Sequence, residues 1–374
     1  MGMSVLGTRA LNRALLARQF LLRRVKDPPL DVIRRLCGMQ AQAPFPPYFG
    51  LWARVHGFAP EDLSGLLLDR SVVRIALMRG TVHLVTAEDC LFLRPLVQPL
   101  LDRDLETNQA YAHALRQVDL PSLARHARAA LDEEPRTGAE LGKLLAEQHP
   151  GTPPAALAHA ARGLLPLVQI PPRAVWGRSG RPTYATAERW LGRPLDSQAG
   201  LDELVRRYLA AFGPATVNDV QAWSGLTRLG EVVDRLRPRL KTFADEQGRE
   251  LFDLPDAPRP EPETPAPPRF IAEFDNLLLS HADRSRVMSA DARKRVFGVP
   301  NGVFPGTVLI DGFVRGTWKI AKTRDAATLD IEPYQRISKK DSAALVSAGA
   351  RLLRFAAPER APDVRLHELG KSAA

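Results

Sequence analysis

The clearest indication of the fold is the segment Val73-Arg74-Ile75-Ala76-Leu77-Met78-Arg79-Gly80-Thr81-Val82-His83-Leu84-Val85. Apolar residues alternate with other residues on both sides of its Arg79-Gly80 turn, a pattern typical of a β-hairpin. Two helical patterns precede this hairpin, one beginning at Thr8 and the other after Pro28-Pro29. Helices followed by a β-hairpin are the order of a winged helix-turn-helix, so we predict such a unit in residues 1–118.

The same order of elements recurs twice. The predicted elements are helices at Leu120–Leu131, Pro153–Leu164, Leu201–Phe212 and Leu226–Leu236, a hairpin joining Val168–Ile170 and Ala174–Trp176 to Thr183–Ala185, and a hairpin within Thr242–Leu254. The segment Leu226–Leu236 is the candidate recognition helix of the third copy. We therefore predict an α+β protein with three tandem winged-helix units, at residues 1–118, 119–198 and 199–254.

The composition changes after residue 254. Residues 255–268 contain seven prolines, which favours an extended, semi-rigid linker. The predicted elements beyond it are strands at Phe270–Phe274, Arg286–Met288, Val303–Ile310 and Phe313–Ile320, and a helix at Asp341–Ala356. Short strands with glycine turns predict a small C-terminal β-barrel or curled sheet with a terminal helix over residues 269–374, packed on the winged helices.

Positive charge is concentrated in two blocks. The chain has 52 basic and 42 acidic side chains, a net charge of +10. Residues 1–54 carry +7, residues 269–324 carry +5, and the remainder sums to −2. Basic blocks are typical of proteins that bind a polyanion such as DNA, although a solubilising surface would have the same composition.

The cysteines and the N-terminus limit the class of protein. Cys37 and Cys90 are the only cysteines, which excludes a disulfide framework or a zinc site built on cysteines. Arginines interrupt the N-terminal segment, which therefore lacks the apolar core of a signal peptide, and no apolar run is long enough to span a bilayer. We expect a cytoplasmic, nucleoid-associated protein, a monomer with no membrane partner.

Conventional catalytic motifs are absent. The eight histidines have no ligand spacing, and the sequence has no phosphate-binding glycine loop or nucleophile elbow, so we expect no metal and no cofactor. The remaining candidate is the pair Gln40 and Gln42, which flank Ala41 where a helical pattern ends before a proline-broken loop. Two amides at this place either do chemistry together, or cap the helix end or bond the proline-rich loop.

Four segments together resemble the AlkZ-like DNA glycosylases. They are Gln40-Ala41-Gln42-Ala43-Pro44, the segment Met78–Val85, the segment Phe274–Arg284, and Asp311-Gly312 with Gly316-Thr317-Trp318. The first resembles the Gln-apolar-Gln motif of that family; a sister branch, the YcaQ proteins, carries Asp in place of the second glutamine. The resemblance covers nearly the whole chain and implies tandem winged helices.

The activity that this resemblance implies is hydrolysis of the N-glycosidic bond of N7-alkylated guanine, including unhooking of interstrand crosslinks. Alkylation at N7 gives the base a positive charge, so the leaving group needs no strong general acid. Gln40 and Gln42 are the predicted catalytic residues: Gln42 orients the attacking water, and Gln40 holds that water or the deoxyribose. We expect double-stranded DNA carrying alkyl adducts or crosslinks as the partner.

Other candidate residues fall into two groups. The predicted DNA contacts are Arg54, Arg79, Arg284, Arg286, Arg293, Lys294, Arg295 and Asn301, the last in an Asn-Gly turn of a hairpin inserted along a groove. The residues predicted to support the site are His83, His281 and Asp283. Two other functions stay open, a non-catalytic winged-helix regulator or damage binder and a drug-sequestering protein. The low density of Arg, Asn and Gln in Leu226–Leu236 disfavours a regulator.

Overall fold

The computed structural model describes residues 3–298 and 304–369 and has a mixed α+β fold. The elements of its first region are the strands Val5–Leu6 (β1), Met39–Gln40 (β2), Val72–Ala76 (β3) and Val82–Thr86 (β4), and the helices Thr8–Arg18 (α1), Pro29–Arg35 (α2), Pro46–Arg54 (α3), Pro60–Leu68 (α4), Ala87–Leu96 (α5), Gln98–Thr107 (α6) and Ala112–Leu115 (α7). The hairpin predicted around Arg79-Gly80 is confirmed, since β3 and β4 pair antiparallel across a 3-10 turn at Met78–Gly80.

The second region adds its hairpin to the same sheet. Its elements are Leu120–Glu133 (α8), Arg136–Thr137 (β5), Gly138–Gln148 (α9), Pro154–Leu164 (α10), Leu167–Gln169 (β6), Thr183–Thr186 (β7) and Ala187–Leu191 (α11). Strand β6 pairs with β3, so the two hairpins form one six-stranded sheet of order β2-β4-β3-β6-β7-β5. The strand predicted at Ala174–Trp176 is wrong, because these residues lie in turns.

The third region forms a separate sheet with the beginning of the chain. Its elements are Leu201–Phe212 (α12), Val217–Ser224 (α13), Gly230–Leu236 (α14), Lys241–Asp245 (β8) and Glu250–Asp253 (β9). Strand β1 pairs in parallel with β8, giving the order β1-β8-β9. The first two hairpins share one sheet and the third hairpin pairs with β1, so the sheets do not divide the chain into three separate units. The three winged-helix units and their boundaries therefore stay a prediction.

The C-terminal region is an open sheet and not a barrel. Its elements are Arg269–Ile271 (β10), Ala290–Phe297 (α15), Gly306–Ile310 (β11), Phe313–Lys322 (β12), Ala326–Pro333 (β13), Lys339–Ala356 (α16) and Ala361–Leu366 (β14). The strand order is β10-β11-β12-β13-β14, with β10 and β14 at opposite edges. The predicted barrel is wrong because β14 returns through α16 to pair in parallel with β13, which extends the sheet sideways. The strand predicted at Arg286–Met288 is also wrong, since Arg286 and Val287 lie in a turn and Met288 has no regular secondary structure.

One hydrophobic core joins the first region, the third region, the C-terminal sheet and part of the second region, including Val168 and Ala174. A second, smaller cluster consists of other buried residues between Leu105 and Tyr184. Among the helices that the structure describes, none is long and apolar enough to cross a membrane. The segment that follows β10 lies beside β2, at the edge of the six-stranded sheet, and α13 packs against the Met78–Gly80 turn.

Candidate active site

The Gln40-Ala41-Gln42 segment begins at the end of the edge strand β2 and not at a helix end, and the Ala41 N–H continues the pairing by donating to the backbone oxygen of Val82 at 2.7 Å. After α2 the chain turns through Cys37 and Gly38, both with positive φ (55° and 85°), and enters β2. Gly38 is required there, since a Cβ atom would lie 2.6 Å from Val85 Cγ1. Ala41 is fully buried in the core. Gln40 and Gln42 flank this buried residue, Gln40 at the end of β2 and Gln42 in the bend that follows.

Each glutamine is held by its carbonyl oxygen. Gln40 Oε1 accepts a hydrogen bond from Arg79 Nη2 at 2.7 Å, and Gln42 Oε1 accepts one from the backbone N–H of Val82 at 3.2 Å. Gln40 is buried and Gln42 is exposed. Within residues 3–298 and 304–369, neither amide caps a helix or bonds the proline-rich loop, and the Nε2 group of each has no hydrogen-bond partner. Each side chain is therefore anchored at one end and keeps free N–H donors at the other.

Arg79 connects Gln40 to two other parts of the molecule. It sits in the left-handed conformation (φ 57°) at the turn between β3 and β4. Its Nη1 donates to the backbone oxygen of Trp223 at 2.6 Å, and its Nη2 also donates to Asn276 Oδ1 at 3.0 Å. Burial, and then the charge of Arg284, lower the pKa of Arg79 to about 10, so it stays positive at neutral pH. The sequence predicted a phosphate contact, whereas the structure gives Arg79 a contact that positions Gln40.

Asp275 and Asn276, in the segment that follows β10, complete the hydrogen-bond network around Arg79 and Gln40. Asn276, which bonds Arg79, also donates from Nδ2 to the backbone oxygen of Gly38 at 3.3 Å. The carboxylate of the preceding Asp275 accepts two hydrogen bonds from Arg54, at 2.8 and 2.9 Å. Sequence reasoning gave no role to Asn276, although it lies within the segment Phe274–Arg284 that carries the resemblance.

Arg54 and Arg286 are buried and bonded within the protein. The side chain of Arg54 is 1% exposed and is enclosed by Asp275, Gly50 and Gln19. Arg286 is also buried and donates to the backbone oxygen of Pro214 at 2.8 Å. The predicted DNA contacts of Arg54 and Arg286 stay predictions, and the burial of both guanidinium groups disfavours them.

The two candidate histidines are neutral. His83 lies opposite Gln40 in the strand pair, and burial, followed by the charge of Arg79, lowers its pKa to about 3. Its Nδ1–H donates to the backbone oxygen of Thr81 at 3.0 Å, and its buried Nε2 has no partner among the described residues. The imidazole of His281 is hydrogen-bonded to the Ser280 hydroxyl and to the backbone oxygen of Phe212. Burial lowers its pKa to about 3 as well. His83 therefore lies beside the glutamines, and His281 belongs to the core.

Asp283 lies at the edge of an open groove. Burial acts to raise its pKa, but hydrogen bonds from the Ser285 N–H and from Arg249 hold that pKa at about 2. The groove, of about 590 Å³, is also lined by Arg284, Arg293 and Lys294.

The three cations of this groove, here called the groove cations, are Arg284, Arg293 and Lys294. None of them has a carboxylate partner in the part of the chain that the structure describes. The Arg284 guanidinium stacks over the Phe297 ring, 4.1 Å from the ring centroid. Burial, and then the positive charge of Arg293, lower the pKa of Arg284. Unpaired cations that repel one another are an arrangement that a phosphate would stabilise.

The cations predicted to precede an inserted hairpin are on a helix instead. Arg293, Lys294 and Arg295 all lie in α15, and Arg295 stacks over Tyr334 at 5.1 Å. Asn301 and the predicted Asn-Gly turn lie outside the described residues.

Comparison with known proteins decides the family. The family model described as DNA glycosylase AlkZ-like matches residues 33–355 of the chain. The chain belongs to the AlkZ-like family of DNA glycosylases. It is 25% identical over 371 residues to an interstrand DNA cross-link repair glycosylase of Streptomyces sahachiroi, an alignment that covers 92% of this chain and 95% of the relative.

The fold of this family member also matches a solved structure. The DNA glycosylase AlkZ of Streptomyces sahachiroi superposes with a TM-score of 0.80 at 21% sequence identity, covering 97% of this chain and 100% of that one. The superposition shows a shared AlkZ fold along the chain. It agrees with the resemblance seen in the four sequence segments.

Proposed function

We propose that this protein hydrolyses the N-glycosidic bond of bulky, cationic N7-alkylguanine in double-stranded DNA, including the bonds of interstrand crosslinks. The observation that carries the proposal is the pair Gln40 and Gln42 at the end of the edge strand β2, each held by a hydrogen bond to its carbonyl oxygen. The relative from Streptomyces sahachiroi bears the description of an interstrand crosslink repair glycosylase, which supports crosslinks as substrates.

The chemistry follows from what amides can do. Each anchored oxygen keeps a second lone pair for a water proton, and each free Nε2 can donate to the water or to the sugar-phosphate backbone. The pair therefore orients a water beneath C1′ while positive charge develops on the deoxyribose. An amide does not take up a proton at neutral pH, so the leaving base must arrive already activated. An N7-alkylated guanine meets that requirement because its positive charge is lost on departure.

Neighbouring residues support hydrolysis without strand cleavage. The side chains around Gln40 are Arg79, His83 and Asn276, and none of them is a primary amine that could form a Schiff base. We therefore propose a monofunctional glycosylase acting as a monomer on the nucleoid in the cytoplasm. The groove cations would bind the phosphates that flank the damaged base.

A base-release assay tests the proposal. A duplex with a single N7-alkylguanine is incubated with wild-type protein, Gln42→Ala or Gln117→Ala, and free base is quantified by mass spectrometry. Gln117 is an exposed glutamine outside the site and serves as the matched control. We expect release by wild type and Gln117→Ala, and a rate about 100-fold lower for Gln42→Ala. No release by wild type, or full activity of Gln42→Ala, would overturn the proposal.

A further inference from the structure

Glu273 is a half-buried carboxylate whose role the mechanism leaves open. It follows β10 by two residues and has no hydrogen bond or ion pair with any described residue. Burial raises its pKa above the usual range of a glutamic acid. A carboxylate withdrawn from water without a partner destabilises the fold. Such groups occur most often where a ligand supplies the missing partner.

Glu273 borders two cavities. One is a narrow space of about 10 Å³, room for about one water, which Gln40 and Asn276 also line. The other is a larger pocket of about 510 Å³ between the segment Ala43–Phe49 and β12, here called the Glu273 pocket. This pocket begins at Ala43, the residue after Gln42, so it adjoins the proposed reaction centre.

The walls of the Glu273 pocket are aromatic and apolar. Phe49 and Trp318 line it as a tilted pair in contact, with ring centroids 5.6 Å apart, and Phe45, Pro44 and Pro46 also line it. Aromatic faces attract cations, and a pocket of this volume suits a small organic group.

Two lysines also line the pocket without pairing with Glu273. Lys322 donates from Nζ to the backbone oxygen of Ala356 at 2.7 Å, and Lys319 is exposed. Neither charge contributes to the pKa of Glu273, whose shift has burial as its cause. The carboxylate therefore remains available for a positive group that enters the pocket.

We propose that the Glu273 pocket binds the substituent carried on N7 of the alkylated guanine, and that the Glu273 carboxylate selects substituents bearing a protonated amine. The inference rests on the proposed function, since it needs the base at Gln40 and Gln42. A cationic substituent would give Glu273 its counter-charge and stack on the aromatic walls, whereas a neutral one would gain only the apolar contact.

Two substrates of equal shape test this selection. One duplex carries N7-(2-dimethylaminoethyl)guanine, whose amine is protonated at neutral pH, and the other carries the neutral isostere N7-(3-methylbutyl)guanine. The variants are Glu273→Gln, which removes the charge and keeps the shape, and Glu261→Gln as the control. Glu261 is exposed in the proline-rich segment and its side chain bonds no described residue. The measured quantity is kcat/KM for base release.

We expect Glu273→Gln to lower kcat/KM about tenfold for the cationic substituent and less than about twofold for the neutral one. The melting temperature should not fall, because the substitution removes an unpaired buried charge. If Glu273→Gln lowers kcat/KM equally for both substrates, Glu273 acts in the chemistry or the fold. If wild type and variant prefer the cationic substrate to the same degree, Glu273 does not select the substituent. Either result overturns this inference and leaves the proposed function standing. If wild type releases neither base, the proposed function itself fails, and this inference with it.

Discussion

The two arginine-rich regions look alike in sequence and behave differently in the fold. In the first, Arg13, Arg18 and Arg54, here called the buried arginines, form ion pairs with carboxylates of the C-terminal half. In the second, the groove cations have no carboxylate partner among the described residues and line an open groove. The groove cations therefore offer charge to a polyanion, whereas the buried arginines do not.

The difference lies in where the partners come from. Arg54 pairs with Asp275, which is 221 residues away along the chain, and Arg18 pairs with Asp253 in a fully buried contact at 2.7 Å. A count of charges in a sequence window includes none of these partners. The net charge of residues 1–54 is therefore larger than the charge that this region presents to DNA, because Arg18 and Arg54 neutralise buried aspartates.

The N-terminal arginines also fix the proline-rich segment. Arg13 Nε donates to the backbone oxygen of Thr264 at 2.7 Å, and Arg9 Nε donates to that of Pro262 at 2.8 Å. Since residues 255–268 have no regular secondary structure, these bonds satisfy carbonyl groups that would otherwise need water. The predicted linker is therefore attached along α1.

The largest expected effect comes from a buried arginine. Arg54→Ala leaves the Asp275 carboxylate buried without a counter-charge, with only the hydrogen bond from the Leu277 N–H, so we expect the free energy of unfolding to fall by about 3–5 kcal/mol. Arg34→Ala, which removes an exposed pair with Asp31, should cost less than about 1 kcal/mol. Urea unfolding followed by circular dichroism measures both. Similar losses for the two variants would remove the distinction between buried and exposed arginines.

Arg79 is the intermediate case, since it is bonded within the protein but only to neutral groups. Arg79→Met frees Gln40 to rotate, and we expect single-turnover base release to slow about 100-fold while DNA affinity changes little. Arg70→Met is the matched control, because Arg70 also has a positive φ and donates to a tryptophan carbonyl, that of Trp190. A loss of affinity with an unchanged rate would return Arg79 to the DNA-binding group.

The groove cations should determine the salt dependence of binding. Replacing Arg293 and Lys294 by alanine should reduce the slope of log affinity against log salt concentration by about 2, one for each lost phosphate contact. The control is Arg103→Ala with Lys143→Ala, two exposed cations on α6 and α9. Fluorescence anisotropy with undamaged duplex measures the slope. An unchanged slope for the first pair would place the DNA elsewhere.

The smallest expected effect is that of pH. Arg79, with a pKa lowered to about 10, is positive below that value, and His83, with a pKa lowered to about 3, is neutral above it. Neither changes charge between about pH 6.5 and 9, and amides do not titrate there. The rate of base release, corrected for spontaneous depurination, should therefore be flat across this range. A bell-shaped profile would point to an acid or base other than the glutamines.

The sequence predicted local patterns better than pairing. Alternation around Arg79-Gly80 predicted β3 and β4 to within one residue at the outer ends, and the four sequence segments led to the correct family. Strand β13 was missed although Ala327, Leu329 and Ile331 alternate as buried residues, a signal that was present. Strand β14 contains Pro362 and little buried surface, so its place depends on pairing with β13.

The sequence named the two glutamines of the proposed site but not the residues that hold them. The motif identified Gln40 and Gln42, but their anchors come from the β3–β4 turn, from Val82 and from Asn276, which only the fold brings together. Likewise Glu273 carries no motif, and its lack of a partner becomes visible only in three dimensions.

The central claim is that two anchored amides suffice because the base is already charged. Single-turnover release should be measured with one duplex sequence carrying either N7-methylguanine or uracil at the same position. We predict release of the cationic base well above its spontaneous rate and no release of uracil, which needs a proton or equivalent stabilisation to leave. Comparable release of uracil would contradict the account, because Gln40 and Gln42 have no proton to give.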